Sequence, residues 1–97
     1  MATFIVRVWL DRGTMSEYTS LKELLIKKGF SKIITDANGV RYVLPNGNYR
    51  GESDLTTLEV TEIVRKVALK VKPNSQILVV KEVKPKGMAW NNLPLAT

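Results

Sequence analysis

The sequence contains no cysteine and no histidine. Without cysteine there is no disulfide framework and no thiolate zinc site. Without histidine there is no imidazole acid–base group and none of the common imidazole metal sites. Any proton transfer falls to Asp, Glu, Lys, Tyr or water, and no such side chain titrates near neutrality when unperturbed. An enzyme built on this chain is expected to be slow, or to work by positioning and charge stabilisation. Long apolar runs are also missing. None reaches the ~18 residues of a membrane span, and the N-terminus carries no signal-peptide pattern. These absences set the expectation of a cytoplasmic protein, bacterial or phage-borne, with no membrane partner. Acidic residues are scarce beside basic ones: 9 Asp and Glu stand against 15 Lys and Arg, a net charge of +6. That surplus suits RNA, DNA or an acidic protein, and equally describes a soluble domain with solvated lysines.

What is present is one small core. The 97 residues, 44% of them hydrophobic, are expected to form a single domain over 1–97 with an irregular tail from about 85. The chain is organised around 3–11, TFIVRVWLD. Phe4, Val6, Val8 and Leu10 alternate with Ile5, Arg7 and Trp9, the period of a half-buried strand. One face belongs under helices. The other offers a cation and an indole, and the strand ends in Asp11-Arg12-Gly13.

A helix is predicted over 15–29, capped by Ser16, with Tyr18, Leu21, Leu24 and Leu25 as its inner stripe. Gly29 supplies its left-handed stop. A short strand over 31–35, an Asn38-Gly39 turn and a returning strand over 40–44 read as a tight hairpin. Residues 46–53 read as a polar loop. Thr56 and Glu59 form a capping box for a second helix ending near residue 72. Its apolar positions, Val60, Ile63, Val64, Val67, Ala68 and Val71, carry the strongest helical pattern in the chain. Pro73 bars its continuation. A last strand covers 76–84. The expected fold is α+β: a ferredoxin-like βαββαβ sandwich, with a four-stranded antiparallel sheet and two helices on one face. In this plan the first and third strands are central. With 40–44 as the third strand, Arg7, Trp9, Arg41 and Val43 meet on the open face.

Phe30-Ser31-Lys32-Ile33, then Asp36 and Gly39, spell F-S-x-I-x-x-D-x-x-G, a helix's length after a strand ending in Asp11. This pattern resembles the GhoS-like antitoxins of type V toxin–antitoxin systems and their small relatives. The resemblance spans about 3–93, and the closing Met88-Ala89-Trp90-Asn91-Asn92-Leu93 looks like the tail of those relatives. It implies a ferredoxin-like fold, similar to the CRISPR adaptation nuclease that caps its first strand with an aspartate. It also implies a sequence-selective endoribonuclease acting on messenger RNA. Asp11 matches the strand-end aspartate. Lys22 falls where the characterised antitoxin has a functionally implicated arginine, and lysine cannot fork a phosphate as arginine does.

The candidate catalytic residues are therefore Asp11, Arg12 and Lys22. Asp11 can orient water or a metal at a phosphate, or serve only as a turn residue. One carboxylate is a poor Mg²⁺ site unless a dimer supplies a second, so no cofactor is expected beyond that Mg²⁺. The candidate nucleic-acid contacts are Arg7, Trp9, Lys32, Arg41 and Tyr42. Trp9 can stack a base, or be covered by a second subunit or by Trp90. The basic side of the second helix reads most simply as a wet surface. Two functions follow: an antitoxin-like RNA-binding protein with endoribonuclease activity, or a non-catalytic module binding a protein through its open sheet. An apolar open face built from Trp9, Ile5 and Val43 predicts a two-fold homodimer.

Overall fold

The computed structural model describes residues 2–82 and 93–96. Its elements are β1 (Ala2–Trp9), α1 (Met15–Lys27), β2 (Phe30–Ser31), β3 (Ile33–Thr35), β4 (Arg41–Val43), β5 (Asn48–Ser53), α2 (Thr57–Val71) and β6 (Gln76–Glu82). The main sheet has the order β2-β5-β1-β6, and each neighbouring pair is antiparallel. With β3 and β4 set aside as a separate two-stranded sheet, the remaining elements follow the ferredoxin-like βαββαβ plan. Phe4, Val6 and Val8 of β1 are buried against Leu21 and Leu25 of α1 and Val60, Val64, Val67 and Ala68 of α2. Both helices therefore cover the same sheet face.

The central partner of β1 is not 40–44 but β5, in the stretch expected to be a polar loop. Its inner face holds Tyr49, Gly51 and Ser53, of which only Tyr49 is a large apolar residue, so hydrophobic periodicity has almost nothing to register. Gly51 is there because the space is taken: a Cβ would lie 2.6 Å from the Phe30 ring. Its outer face is Asn48, Arg50 and Glu52. The segment expected as one strand over 31–35 is two, bending at Lys32 to leave the main sheet. Ser31 Oγ accepts from the Ile33 N–H across that bend at 3.0 Å.

The β3–β4 hairpin turns where expected, with a longer loop. The Gly39 N–H donates to the Asp36 carbonyl at 3.1 Å, and the Asp36 N–H donates to the Val40 carbonyl at 2.9 Å. Gly39 alone in the turn has positive φ, +81°, the three-residue form rather than the two-residue one. Asp36 Oδ1 fixes it by accepting from the Asn38 and Val40 N–H groups, both at 2.9 Å. A Cβ on Gly39 would meet nothing within 4 Å. Gly39→Val therefore costs only the backbone strain, roughly 1 kcal/mol or more, and should lower the melting temperature by about 4–8 °C. An unchanged melting curve would contradict this turn. Along the other edge of β4, the Val43 N–H donates to the Pro94 carbonyl and the Ala96 N–H to the Arg41 carbonyl, at 2.8 and 2.9 Å. Trp90, the expected cover for Trp9, lies outside the described residues.

The α1 cap is Thr14, not Ser16. A cap at Ser16 would put Thr19 at the third helical position. A cap at Thr14 puts Glu17 there, whose carboxylate reaches back to the Thr14 N–H at 2.9 Å. The second capping box, Thr56 with Glu59, forms as expected.

Candidate active site

β1 delivers its last side chains to a tight turn. Leu10 is buried, and the Gly13 N–H donates to its carbonyl at 3.1 Å. Between them Asp11 and Arg12 are exposed, and Arg12 is forced into the left-handed region, φ +52°. For a non-glycine residue that costs roughly 1–2 kcal/mol, so its surroundings must hold it. The Lys72 ammonium, at the end of α2, donates to the Arg12 carbonyl at 3.0 Å and to Glu17 Oε1 at 3.1 Å. The Tyr18 hydroxyl accepts from the Leu10 N–H at 3.1 Å. The turn is thus clamped by both helices.

Glu17 is the hinge of that clamp. The Thr14 backbone N–H, and then Lys72, hold its carboxyl below the ordinary value of 4.5. Glu59 and Glu62 are lowered too, by the Thr56 N–H and by Arg65 respectively. A carboxyl depressed in the folded state contributes stability that is complete above its unfolded value. That contribution is lost as pH falls through the lowered folded value. Stability should therefore fall as pH drops below about 4.5. Glu17→Gln should flatten part of that acid limb in chemical melts run from pH 7 to pH 3. A Glu17→Gln acid limb identical to wild type would remove Glu17 from the clamp.

Beside the turn lies a polar cleft of about 250 Å³, lined by Trp9, Leu10, Asp11, Arg12, Asn74 and Gln76. Gln76 is the sheet partner of Trp9. Asn74 also has left-handed backbone, φ +63°, which asparagine tolerates better than most. Among the described residues neither the Asn74 nor the Gln76 side-chain amide has a hydrogen-bond partner. On the open face the Arg7 guanidinium sits 4.3 Å from the Trp9 ring centroid, a cation–π contact. Trp9 remains 37% exposed.

Asp11, Arg12 and Trp9 thus share one cleft, and Arg7 borders it. The other expected residues stand elsewhere. Lys22 lies two turns into α1 beside Lys32, whose pKa is lowered first by burial and then by the Lys22 charge. Lys32 donates to Asn46 Oδ1 at 2.9 Å. Arg41 and Tyr42 are on β4, in the separate sheet, and the Tyr42 hydroxyl donates to Asp36 Oδ2 at 3.3 Å. Val43 pairs with Ile33 there. The expected meeting of Arg41 and Val43 with Arg7 and Trp9 does not occur, because β5 takes the central position. The open-face neighbours of β1 are instead Asn48 and Arg50 on one side and Leu78 and Val80 on the other. Arg50 pairs with Glu82 across the sheet at 3.4 Å. Sequence reasoning missed Asn74, Gln76 and Lys72. The only signal for Asn74 was its place after Pro73, where an asparagine marks a turn.

Among the described residues no group of three or more Asp, Glu, His or Cys could hold a metal ion. Asp11 is the sole carboxylate lining the cleft, and a lone carboxylate does not fit a dedicated Mg²⁺ centre. Nor is any helix among these residues long and apolar enough to cross a membrane.

A family model described as endoribonuclease GhoS matches residues 1–84. The chain belongs to this family. No curated protein matches the chain. The GhoS match covers every element from β1 to β6 and all the residues lining the cleft. Membership in a family described as endoribonucleases points to RNA as the substrate class.

Proposed function

We propose that the chain is an antitoxin-type endoribonuclease that cuts single-stranded messenger RNA in the cleft at the carboxyl end of β1. One observation carries this reading. Two non-glycine residues in left-handed backbone, Arg12 and Asn74, frame a polar cleft that also holds Asp11 and Trp9. Strain of this kind clusters at sites where it serves a function.

In this reading Trp9 stacks an unpaired base, worth roughly 1–3 kcal/mol. Duplex RNA offers no such base. The free amides of Asn74 and Gln76 face the base edge, and the Arg12 guanidinium braces the phosphate oxygens as charge builds on them. With no histidine in the chain, the Asp11 carboxylate accepts the proton of the ribose 2′-hydroxyl. The 2′-oxygen bonds to phosphorus and the bond to the 5′-oxygen breaks. That oxygen takes a proton from water, leaving a 2′,3′-cyclic phosphate and a 5′-hydroxyl. Lys22 and Lys32 guide the strand along the side of α1, and Arg41 and Tyr42 are outlying contacts on the hairpin.

The test is a labelled RNA pool incubated with the protein, with and without Mg²⁺. Cuts should persist in chelator, end in cyclic phosphate and vanish in Asp11→Ala. Cuts that survive Asp11→Ala would take the cleft out of the reaction. Binding should weaken with salt as bound phosphates release counterions. Lys22→Ala should lower the slope of log affinity against log salt by about one. Trp9→Ala should weaken binding and leave that slope nearly unchanged, because stacking releases few ions. Equal slopes for Lys22→Ala and wild type would remove Lys22 from the RNA path. The second reading, a protein-binding module, draws on Leu78 and Val80, 50% and 48% exposed on the open face. Absence of RNA binding at ~50 mM salt, where electrostatic affinity is strongest, would decide for it.

A further inference from the structure

β6 is an edge strand. Its one partner among the described residues is β1, so every second residue points its N–H and C=O away from the sheet. An edge of this kind is a template for another strand unless something blunts it. The opposite edge is blunted by brevity, since β2 has only two residues. β6 has seven, QILVVKE, with no charge before Lys81 and no proline. Leu78 and Val80 project on the open side, about half exposed. On the helix side a groove of about 150 Å³ runs beside the strand, lined by Arg65, Ala68, Leu69, Asn74, Ser75 and Ile77.

We infer that this edge is a homodimer interface, in which the β6 strands of two copies pair antiparallel about a two-fold axis at Val79. Centring on Val79, the middle residue, pairs all seven residues of the strand. Centred on Val79, Leu78 faces Val80 of the second copy, and Val80 faces its Leu78. Ile77 faces Lys81 and Gln76 faces Glu82. Apolar side chains meet apolar ones on the open face, and no like charges stand opposite each other, the arrangement that favours cross-strand pairing. Centred one residue later, the axis would set Leu78 against Glu82 and Val79 against Lys81. In the chosen register the aliphatic stem of Lys81 reaches the groove beside Ile77, where a long side chain can cover apolar surface and keep its charge in water. The exposed Leu78 and Val80 thereby gain cover, and Trp9 stays open. The two clefts sit at opposite ends of the paired strands, about 20 Å apart along them at ~3.3 Å per residue. Each is built from one chain.

The test is mass by sedimentation equilibrium across about 1–200 μM protein, with charge variants at the paired positions. Wild type should reach twice the 10.9 kDa chain mass. Leu78→Glu alone and Val80→Lys alone each place two charges against apolar partners. Each should weaken dimerisation at least about tenfold while keeping wild-type circular dichroism, because both side chains are half exposed. The combined L78E/V80K chain should dimerise again, since each glutamate then faces a lysine of the second copy. A monomeric wild type throughout that range would overturn the inference. So would single variants that dimerise like wild type, which places the contact elsewhere, or a combined variant that stays monomeric, which excludes this register.

Discussion

Asp11→Ala is expected to lower RNA cleavage by at least about 100-fold, the scale of a positioned proton acceptor, and to leave the melting temperature essentially unchanged. The separation follows from the geometry. Asp11 is exposed, and among the described residues its side chain makes no hydrogen bond or ion pair. A surface substitution without such partners shifts stability by no more than about 0.5 kcal/mol. The turn that carries it is held through other atoms: the Leu10 N–H and carbonyl, and the Arg12 carbonyl. Asp11→Asn is the sharper variant. It keeps size and hydrogen bonding and removes only the capacity to take a proton, so it should lose as much activity as alanine. Asp11→Asn with near wild-type rates would leave Asp11 a turn residue. Loss of stability in either variant would show that the carboxylate serves the fold.

Gly47→Ala is expected to be the most damaging glycine-to-alanine change among the described residues, costing about 3 kcal/mol or more. Gly47 has φ +85° and is packed against β1: a Cβ would lie 2.3 Å from the Val8 carbonyl oxygen. That oxygen is backbone in the central strand and cannot swing aside. The Gly47 carbonyl also accepts from the Val8 N–H at 2.7 Å, so moving away breaks a short hydrogen bond. For a small domain with about 5–15 kcal/mol of total stability, such a loss should lower the melting temperature by about 12 °C or more. Gly39→Ala is the matched control. It has nearly the same positive φ, +81°, but open space around it. The difference between the two variants isolates the close approach from the backbone strain. Equal melting temperatures would mean that the loop before β5 does not rest on β1. The placement of β5 beside β1 would then fail with it.

Those two glycines also show where sequence reading works. Gly39 is legible because a turn is local: Asn-Gly and the Asp36 side chain specify it within five residues. Gly47 and Gly51 are not legible, because each answers to an atom far away in sequence, the Val8 carbonyl and the Phe30 ring. The same holds for β5. Its outer face is polar and its inner face spends one position on a glycine, so no alternation survives. It becomes a strand because β1 and β2 offer it backbone partners on both sides. The site divides in the same way. Asp11, Arg12 and Trp9 are contiguous with β1, and the strand's own pattern leads to them. Asn74 and Gln76 come from the far side of α2 and reach the cleft only through the pairing of β6 with β1.

By itself the sequence determined the helices, the two outer strands of the βαββαβ order, the hairpin turn and the inner face of β1. Each is written in a local period, a cap or a turn residue, and each gains its energy from neighbours in the chain or from burying a regular apolar stripe. Only the tertiary structure decided which strand is central, which residues share the open face and which ones close the cleft. Those outcomes depend on backbone hydrogen bonds between segments distant in sequence. Such bonds are nearly independent of side-chain identity, so a polar, glycine-bearing stretch can occupy the middle of a sheet. The hairpin expected there, carrying Arg41 and Val43, was displaced to a sheet of its own.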